Sequence, residues 1–120
     1  MNRLDVEILS YSNLEREYDG EVAVAEGEMK IQIEDDLKFG ESSKRFTVEA
    51  TCQVVLVEDV DDLTWNLASM TVKRYDFKYF DKDDTVITED EESVLISHLD
   101  STYEEQYRQL ELLVSQDVRL

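Results

Sequence analysis

Apolar and polar residues alternate along several stretches of the first 80 residues, which is the pattern of half-buried β-strands. The first stretch has apolar residues at Leu4, Val6 and Ile8, separated by acids. Residues 10–20 do not continue this alternation, so they predict a connection. The sequence therefore predicts a short first strand followed by a long connection.

A second strand region begins near residue 22, but its apolar positions change parity along the way. Val24 lies on the even positions and Met29 on the odd ones, with Gly27 between them. A change of parity within a strand requires a bulge or a turn. We favour a bulge at Gly27 over a tight hairpin, and residues 34–45 then predict the next connection.

The clearest alternation in the chain covers residues 46–56 and predicts a third strand. Both parities are apolar over residues 54–57, so we expect this end of the strand to be covered on both sides. An acidic turn at residues 58–62 leads into a long strand region over residues 65–80. Its apolar positions also change parity, which predicts a second bulge at residues 73–74.

After residue 88 the spacing of the apolar positions changes from two to three or four, which is typical of a helix. Thr88 and Glu91 have the spacing of a capping box, in which each side chain accepts a hydrogen bond from the other residue's backbone amide. The apolar stripe that follows consists of Leu95, Leu99, Tyr103, Tyr107, Leu110 and Val114. This pattern predicts either one helix over residues 89–116 or two helices with a break near Asp100.

Together these elements predict an α+β fold in a single domain, residues 1–120. An antiparallel sheet of about four strands with bulges occupies residues 3–80. A C-terminal helix or helix pair, within residues 88–117, packs on one face of the sheet. One helix leaves apolar positions such as Val55 and Val57 uncovered, so self-association is an open alternative.

The net charge of the chain limits the classes of partner that we expect. The chain has 120 residues, with 30 acidic residues against 12 Lys and Arg, and a formal net charge of −18. Such a surface repels nucleic acid and anionic lipid, so the expected partners are basic protein surfaces, polyamines or metal ions. No apolar run exceeds four residues, and acids occupy the start, where a signal peptide needs apolar residues. We therefore expect a cytoplasmic protein that contacts neither a membrane nor nucleic acid directly.

The residue types that carry catalysis or bind metal are scarce. Residues 81–92 resemble a calcium-binding loop in their acid spacing, but Val86 stands where the sharp turn needs glycine, so we favour a solvated strand-to-helix turn. His98 and Cys52 are single residues of their type, and zinc or nucleophilic chemistry needs partners beside them. The three glycines are isolated, which excludes a phosphate-binding loop. We predict a protein that is not an enzyme, with no catalytic residue, metal site or cofactor.

The order of elements resembles that of small acidic accessory proteins encoded by bacteriophages. The strand over residues 46–56 is followed by the strand over residues 65–80. The acidic capping box at residues 88–91 then begins a C-terminal helix. The resemblance lies at the level of architecture and covers most of the chain. It implies either a host-directed inhibitor or a component of virion assembly, and it assigns no functional residue.

The abundance of acids is the strongest functional signal. Carboxylates two residues apart on a strand stand about 6.6–6.8 Å apart, a spacing suited to a cationic groove that binds nucleic acid. We therefore predict an interaction protein that binds a basic protein surface and can mimic nucleic acid as an inhibitor. The residues predicted to bind the partner are Glu58, Asp59, Asp61, Asp62, Asp81, Asp83, Asp84, Glu89, Asp90, Glu91 and Glu92. The alternative is an assembly subunit that forms homo-oligomers through apolar strand and helix faces, with Tyr75, Phe77 and Tyr79 at the interface.

Overall fold

The computed structural model describes residues 4–19, 22–39, 42–59, 64–80 and 87–117. Four strands are followed by two helices: β1 (Asp5–Asp19), β2 (Val22–Phe39), β3 (Ser42–Asp59), β4 (Thr64–Phe80), α1 (Glu89–Ser101) and α2 (Tyr103–Asp117). The strands form one antiparallel sheet in the order β1-β2-β3-β4. The predicted α+β architecture is confirmed.

β1 continues through residues 10–19, so the prediction of a connection there is wrong. Relative to β2, β1 carries one extra residue after Ile8 and another after Ser12. Each bulge switches the parity of the residues that face the core. The inward positions therefore shift to Tyr11 and then to Leu14, both packed against the core. The alternation is present in the structure but is hidden in the sequence by the two bulges.

The predicted connection over residues 34–45 is also wrong, because β2 extends to Phe39 and β3 begins at Ser42. The two strands stay paired through this polar segment. Asp36 lies opposite Arg45, and their side chains form an ion pair at 3.5 Å. A long hairpin satisfies its backbone groups by pairing alone, so it does not require apolar alternation at its end.

β2 has no change of parity, so neither a bulge at Gly27 nor a hairpin is found. Its pairing with β3 runs without a register shift. Val24 points away from the core, and the smaller Ala23 and Ala25 face it. The prediction followed the larger side chains and therefore took the outward parity as the inward one. The inward positions of β2 are Ala23, Ala25, Gly27, Met29, Ile31, Ile33 and Asp35.

The bulge near Gly27 belongs to the neighbouring strand. Asn13 in β1 has a positive φ of 56°, and the extra residue of β1 lies opposite Gly27. A Cβ atom on Gly27 would stand 2.8 Å from the Asn13 carbonyl oxygen and 2.8 Å from the Leu14 Cα. Glycine is therefore required here because the bulged backbone of β1 occupies the space of a side chain.

The bulge predicted at residues 73–74 is confirmed. Thr51 pairs with Arg74 while the next residue of β3 pairs with Val72, which leaves Lys73 as the extra residue. Two further register shifts also fall in β4. Bulges bend a strand and increase its twist. In this sheet they are confined to the two edge strands, β1 and β4.

The helices pack on one face of the sheet and complete a single core. Leu95 and Leu99 of α1 and Leu110 and Val114 of α2 are fully buried with the inward residues of the strands. Val55 and Val57, on the opposite face, are only half-buried. Their predicted cover on both sides is not found within the described part of the chain, where both helices lie on the other face.

The alternative with two helices is the one found, with a break at Thr102. In a continuous helix the Leu99 carbonyl would accept the Tyr103 backbone N–H. Here the buried Gln106 side chain donates its Nε2 to the Leu99 oxygen at 2.9 Å. The Thr102 hydroxyl also donates to the His98 oxygen at 3.0 Å. The Gln106 side chain therefore replaces the backbone hydrogen bond that the break removes at Leu99, while the His98 oxygen still accepts the Thr102 backbone N–H.

The predicted capping box begins α1 as expected. The Glu91 backbone N–H donates to the Thr88 hydroxyl, and the Thr88 backbone N–H donates to the Glu91 carboxylate. The Thr88 backbone N–H, together with the Thr88 hydroxyl, donates to the Glu91 carboxylate and so lowers the pKa of Glu91. Neither helix, as far as the structure describes it, has the length and apolar character needed to cross a membrane.

Candidate functional site on the open face of the sheet

The face of the sheet that points away from α1 and α2 is named here the open face. Because side chains alternate along a strand, every outward position can be assigned from the register of the buried ones. Among the side chains that the structure describes, the acids on this face are Asp5, Glu7, Glu15, Glu17, Glu26, Glu28, Glu34, Asp36, Glu49, Asp59 and Asp76. The bases are Lys30, Lys38, Arg45, Lys73 and Arg74. The open face therefore has a clear excess of negative charge.

The register sets acids directly opposite acids. Glu15 pairs with Glu26 between β1 and β2, and Glu49 pairs with Asp76 between β3 and β4. A third such pair joins Asp5 to Glu34. Directly opposed residues have Cβ atoms about 4.5–5.5 Å apart, and like charges at this distance destabilise a sheet. Folding stability alone does not account for such a pair where no cation lies beside it.

The bases of the open face compensate part of this charge. Arg45 bridges Glu34 and Asp36, at 3.5 Å from each. Lys73 donates to Glu28 at 2.7 Å, and this hydrogen bond lowers the pKa of Glu28. Within the part of the chain that the structure describes, neither Glu15 nor Glu26 has a cation within 4 Å. The Glu15–Glu26 pair is therefore the least compensated part of the open face.

The acids predicted from the sequence do not form one site. Glu58 faces the core side, where Arg16 approaches it at 3.4 Å and lies over the Trp65 ring. Asp59 is the one predicted residue that the register places on the open face. The predicted residues Asp61, Asp62, Asp81, Asp83 and Asp84 lie outside the described residues.

The acids at the start of α1 lie far from Glu58 and Asp59, at the end of β3. Glu89, Asp90, Glu91 and Glu92 form the first turn of α1. The Glu91 carboxylate is 4.0 Å from Lys44, near the beginning of β3. Glu58 lies near the end of the same strand, about 45 Å further along at the usual rise per residue. The two predicted groups therefore belong to opposite ends of the molecule.

Two of the three aromatic residues predicted to form an oligomer interface do not lie on the open face. Tyr75 and Phe77 are half-buried on the core side, with ring centroids 6.1 Å apart. Burial, with a smaller contribution from the negative charge of Asp100, raises the pKa of Tyr75 to about 12. The backbone of Tyr79 lies in β4, and its side chain is outside the described residues.

The single cysteine and the single histidine occupy separate places. Cys52 is buried in β3, and burial raises the pKa of its thiol to about 11. His98 places its Nε2 at 2.8 Å from the Asp35 carboxylate, and its ring meets the edge of Phe46. Phe46 is about 20 Å along β3 from Cys52. No group of three or more potential metal ligands is found among the described residues.

Comparison with protein-family models, with curated proteins and with solved structures gives no match. The sequence carried one signal for the open face, because acids such as Glu7 and Glu49 alternate with apolar residues in the predicted strands rather than lying in turns. The opposition of Glu15 to Glu26 could not be predicted, because it depends on two bulges in β1 that the apolar pattern does not reveal.

Proposed function

We propose that the protein is a non-catalytic interaction protein that binds a basic protein surface through the open face. The observation that carries this proposal is the opposition of Glu15 to Glu26 and of Glu49 to Asp76. Such pairs lower the stability of the free sheet. A cationic partner would relieve the repulsion on binding, so the cost in the free protein becomes affinity in the complex.

The shape of the open face supports an extended contact. The strands are 15 to 18 residues long, and the principal-axis extents of the molecule are 54 × 28 × 22 Å. Carboxylates on neighbouring strands stand about 5 Å apart, and those two residues apart on one strand about 7 Å apart. A long basic groove that otherwise binds a nucleic-acid backbone is the partner class that fits this array best. The protein would then act as an inhibitor that mimics nucleic acid, in line with its resemblance to phage accessory proteins.

A homo-oligomeric assembly subunit is the second candidate. Val24 and Val57 lie opposite each other on the open face, and Val55 lies two residues further along β3. All three side chains are only half-buried. This apolar patch could contact a second copy, and such contacts strengthen or persist when salt is added. Light scattering that shows a monomer at high protein concentration would remove this candidate.

The test is a tagged pull-down from a bacterial lysate, washed at low and at high salt and read by mass spectrometry. It compares the wild-type chain with an open-face variant that combines Glu15→Gln, Glu26→Gln, Glu49→Gln and Asp76→Asn. We expect a nucleic-acid-binding protein that is released at high salt and is lost from the variant, because charge contacts are screened by salt. Recovery that neither salt nor the variant changes would contradict the proposal.

A further inference from the structure

A second feature lies on the helical layer, where α2 meets the edge of β4. The Tyr103 hydroxyl donates to the Met70 carbonyl oxygen at 2.8 Å, and the Tyr107 hydroxyl donates to the Leu67 carbonyl oxygen at 3.1 Å. The two rings have centroids 6.2 Å apart and an angle of 43° between their planes. Both hydroxyl groups are therefore fixed by the backbone of β4, and the rings are held in place beside each other.

A surface depression of about 380 Å³ lies over these two rings. Its other lining residues are Glu104, Arg108 and Glu111, on the same helix. The floor is thus aromatic and the rim carries two exposed carboxylates. Burial, followed by the negative charge of Glu111, raises the pKa of Tyr107.

No cation of this chain covers the tyrosine rings within the described residues. The cation–π contacts found there are made by Arg16, with Tyr18 and with Trp65. Arg108 lines the depression, but its side chain is 70% exposed and pairs with Glu105 at 3.6 Å. The aromatic floor is therefore available to a cation from outside the molecule.

We propose that this depression binds an arginine side chain of a partner protein. A guanidinium group can stack on a tyrosine face and also donate hydrogen bonds to carboxylates. The tyrosine pair together with Glu104 and Glu111 offers both types of contact. The site lies on α2 rather than on the open face, so it goes beyond the proposed function and does not rest on it.

A neighbouring depression lies where the partner residues next to the arginine would be placed. It has a similar volume of about 380 Å³, shares Tyr103, and extends along residues 70–75 of β4 to Asp100. Lys73 and Arg74 line this second depression. Both bases belong to the open face, where Lys73 pairs with Glu28. The rest of this lining includes Tyr75 and Asp100, whereas the first depression has a pair of tyrosine rings and two carboxylates, so the arginine is expected over the tyrosine pair.

The test uses the full chain labelled with ¹⁵N and a short Gly/Ser peptide that contains one arginine. Peptide is added to about 10 mM, because an isolated cation–π contact supports only weak binding. We expect amide shifts at Tyr103, Tyr107 and Glu111. A peptide with neutral citrulline in place of arginine should give shifts smaller by about threefold or more, because it lacks the charge.

Two charge variants make the test specific without disturbing the rings. Glu104→Gln with Glu111→Gln should weaken binding of the arginine peptide by about threefold or more. Glu89→Gln with Asp90→Asn on α1 changes the net charge equally and should leave the binding unchanged. Absence of shifts, shifts confined to the open face, or equal shifts with the citrulline peptide would overturn the proposal. Because the open-face residues are unchanged in both variants, these outcomes leave the test of the proposed function intact.

Discussion

Gly27 shows how a single residue can permit an entire local arrangement. The bulge of β1 brings the backbone of Asn13 and Leu14 into the space that a side chain at position 27 would occupy. The Asn13 carbonyl oxygen and the Leu14 Cα would each lie 2.8 Å from the added Cβ atom. Both are backbone atoms held within the sheet, so they cannot move aside as a flexible side chain could. The contact thus fixes glycine at this position and the bulge opposite it.

Gly27→Ala is expected to lower the free energy of unfolding by about 2 kcal/mol, which is typical of an overpacked interior position. Urea unfolding followed by circular dichroism measures this change. Ser69→Ala, at an exposed position of β4, is the matched control and should change stability by less than about 0.5 kcal/mol. Equal stability of the two variants would show that β1 does not approach Gly27 this closely.

Cys52 makes stability depend on pH in the alkaline range. Its thiol pKa is raised by burial from 9.0 to about 11. The unfolded chain therefore loses this proton at lower pH than the folded chain. The contribution is fully present below pH 9 and is lost as the pH rises from 9 to about 11. Tyr75, whose pKa is raised to about 12, acts in the same direction at higher pH.

Unfolding measured at pH 7, 9 and 10.5 should show a loss of about 1–3 kcal/mol in the wild-type chain, because one pKa unit corresponds to about 1.4 kcal/mol. Cys52→Ala is expected to be less stable at pH 7, since it leaves a small cavity, but to lose less with rising pH. If both chains lose the same amount between pH 7 and 10.5, the thiol is not buried as described.

At the scale of elements, α2 serves both edges of the sheet. Gln109 accepts from the Val6 backbone N–H at 3.1 Å and donates to the Leu4 carbonyl oxygen at 3.0 Å, so its amide continues the pairing of β1. On the other edge, Tyr103 and Tyr107 bind carbonyl groups of β4. Side chains of one helix thus satisfy two backbone groups at each edge that would otherwise be open to pairing with another chain.

Gln109→Ala is expected to lower stability by about 1–2 kcal/mol, because it removes two partly buried hydrogen bonds to the backbone of Leu4 and Val6. Hydrogen exchange should become faster at the Val6 amide in particular. Gln116→Ala, at an exposed position on the same helix, should change neither quantity. Unchanged exchange at Val6 would contradict the pairing of α2 with β1.

The elements also show what the apolar pattern can and cannot predict. The capping box at Thr88 and the bulge at Lys73 were predicted, because each depends on residues close together in the sequence. The full length of β1 was not, since two bulges shift its inward parity. The inward parity of β2 was also missed, because Ala23 and Ala25 face the core while larger valines face outward. The opposition of Glu15 to Glu26 on the open face depends on this register and could not be predicted without it.

The loss of stability caused by opposed acids can be measured by comparing two positions of β1. Glu15 lies opposite Glu26, whereas Glu17, two residues along, lies opposite Val24. Glu15→Gln should therefore raise the free energy of unfolding by about 0.2–1 kcal/mol, because it removes a like-charge pair. Glu17→Gln makes the same chemical change without an opposed acid and should have a smaller effect. Equal effects would mean that the register adds nothing to the general charge of the surface.

At the scale of the whole molecule, the net charge of −18 has two possible roles. It can act as a charge spread over the entire surface, or it can bind a partner through one face. General negative charge increases solubility and also attracts any basic protein weakly. A binding surface instead requires charges in one place, on a face that the helices leave free. The open face has this arrangement, whereas the acids of the α1 start lie in the first turn of a helix, where Glu91 forms the capping box.

The most direct measurement is the recovery of a salt-sensitive partner by two variants of equal charge. One is the open-face variant with Glu15, Glu26, Glu49 and Asp76 neutralised. The other neutralises the first turn of α1 through Glu89→Gln, Asp90→Asn, Glu91→Gln and Glu92→Gln. We expect the open-face variant to lose the partner and the helix-start variant to retain it at wild-type levels. Equal loss by both variants would show that net charge, rather than the open face, binds the partner.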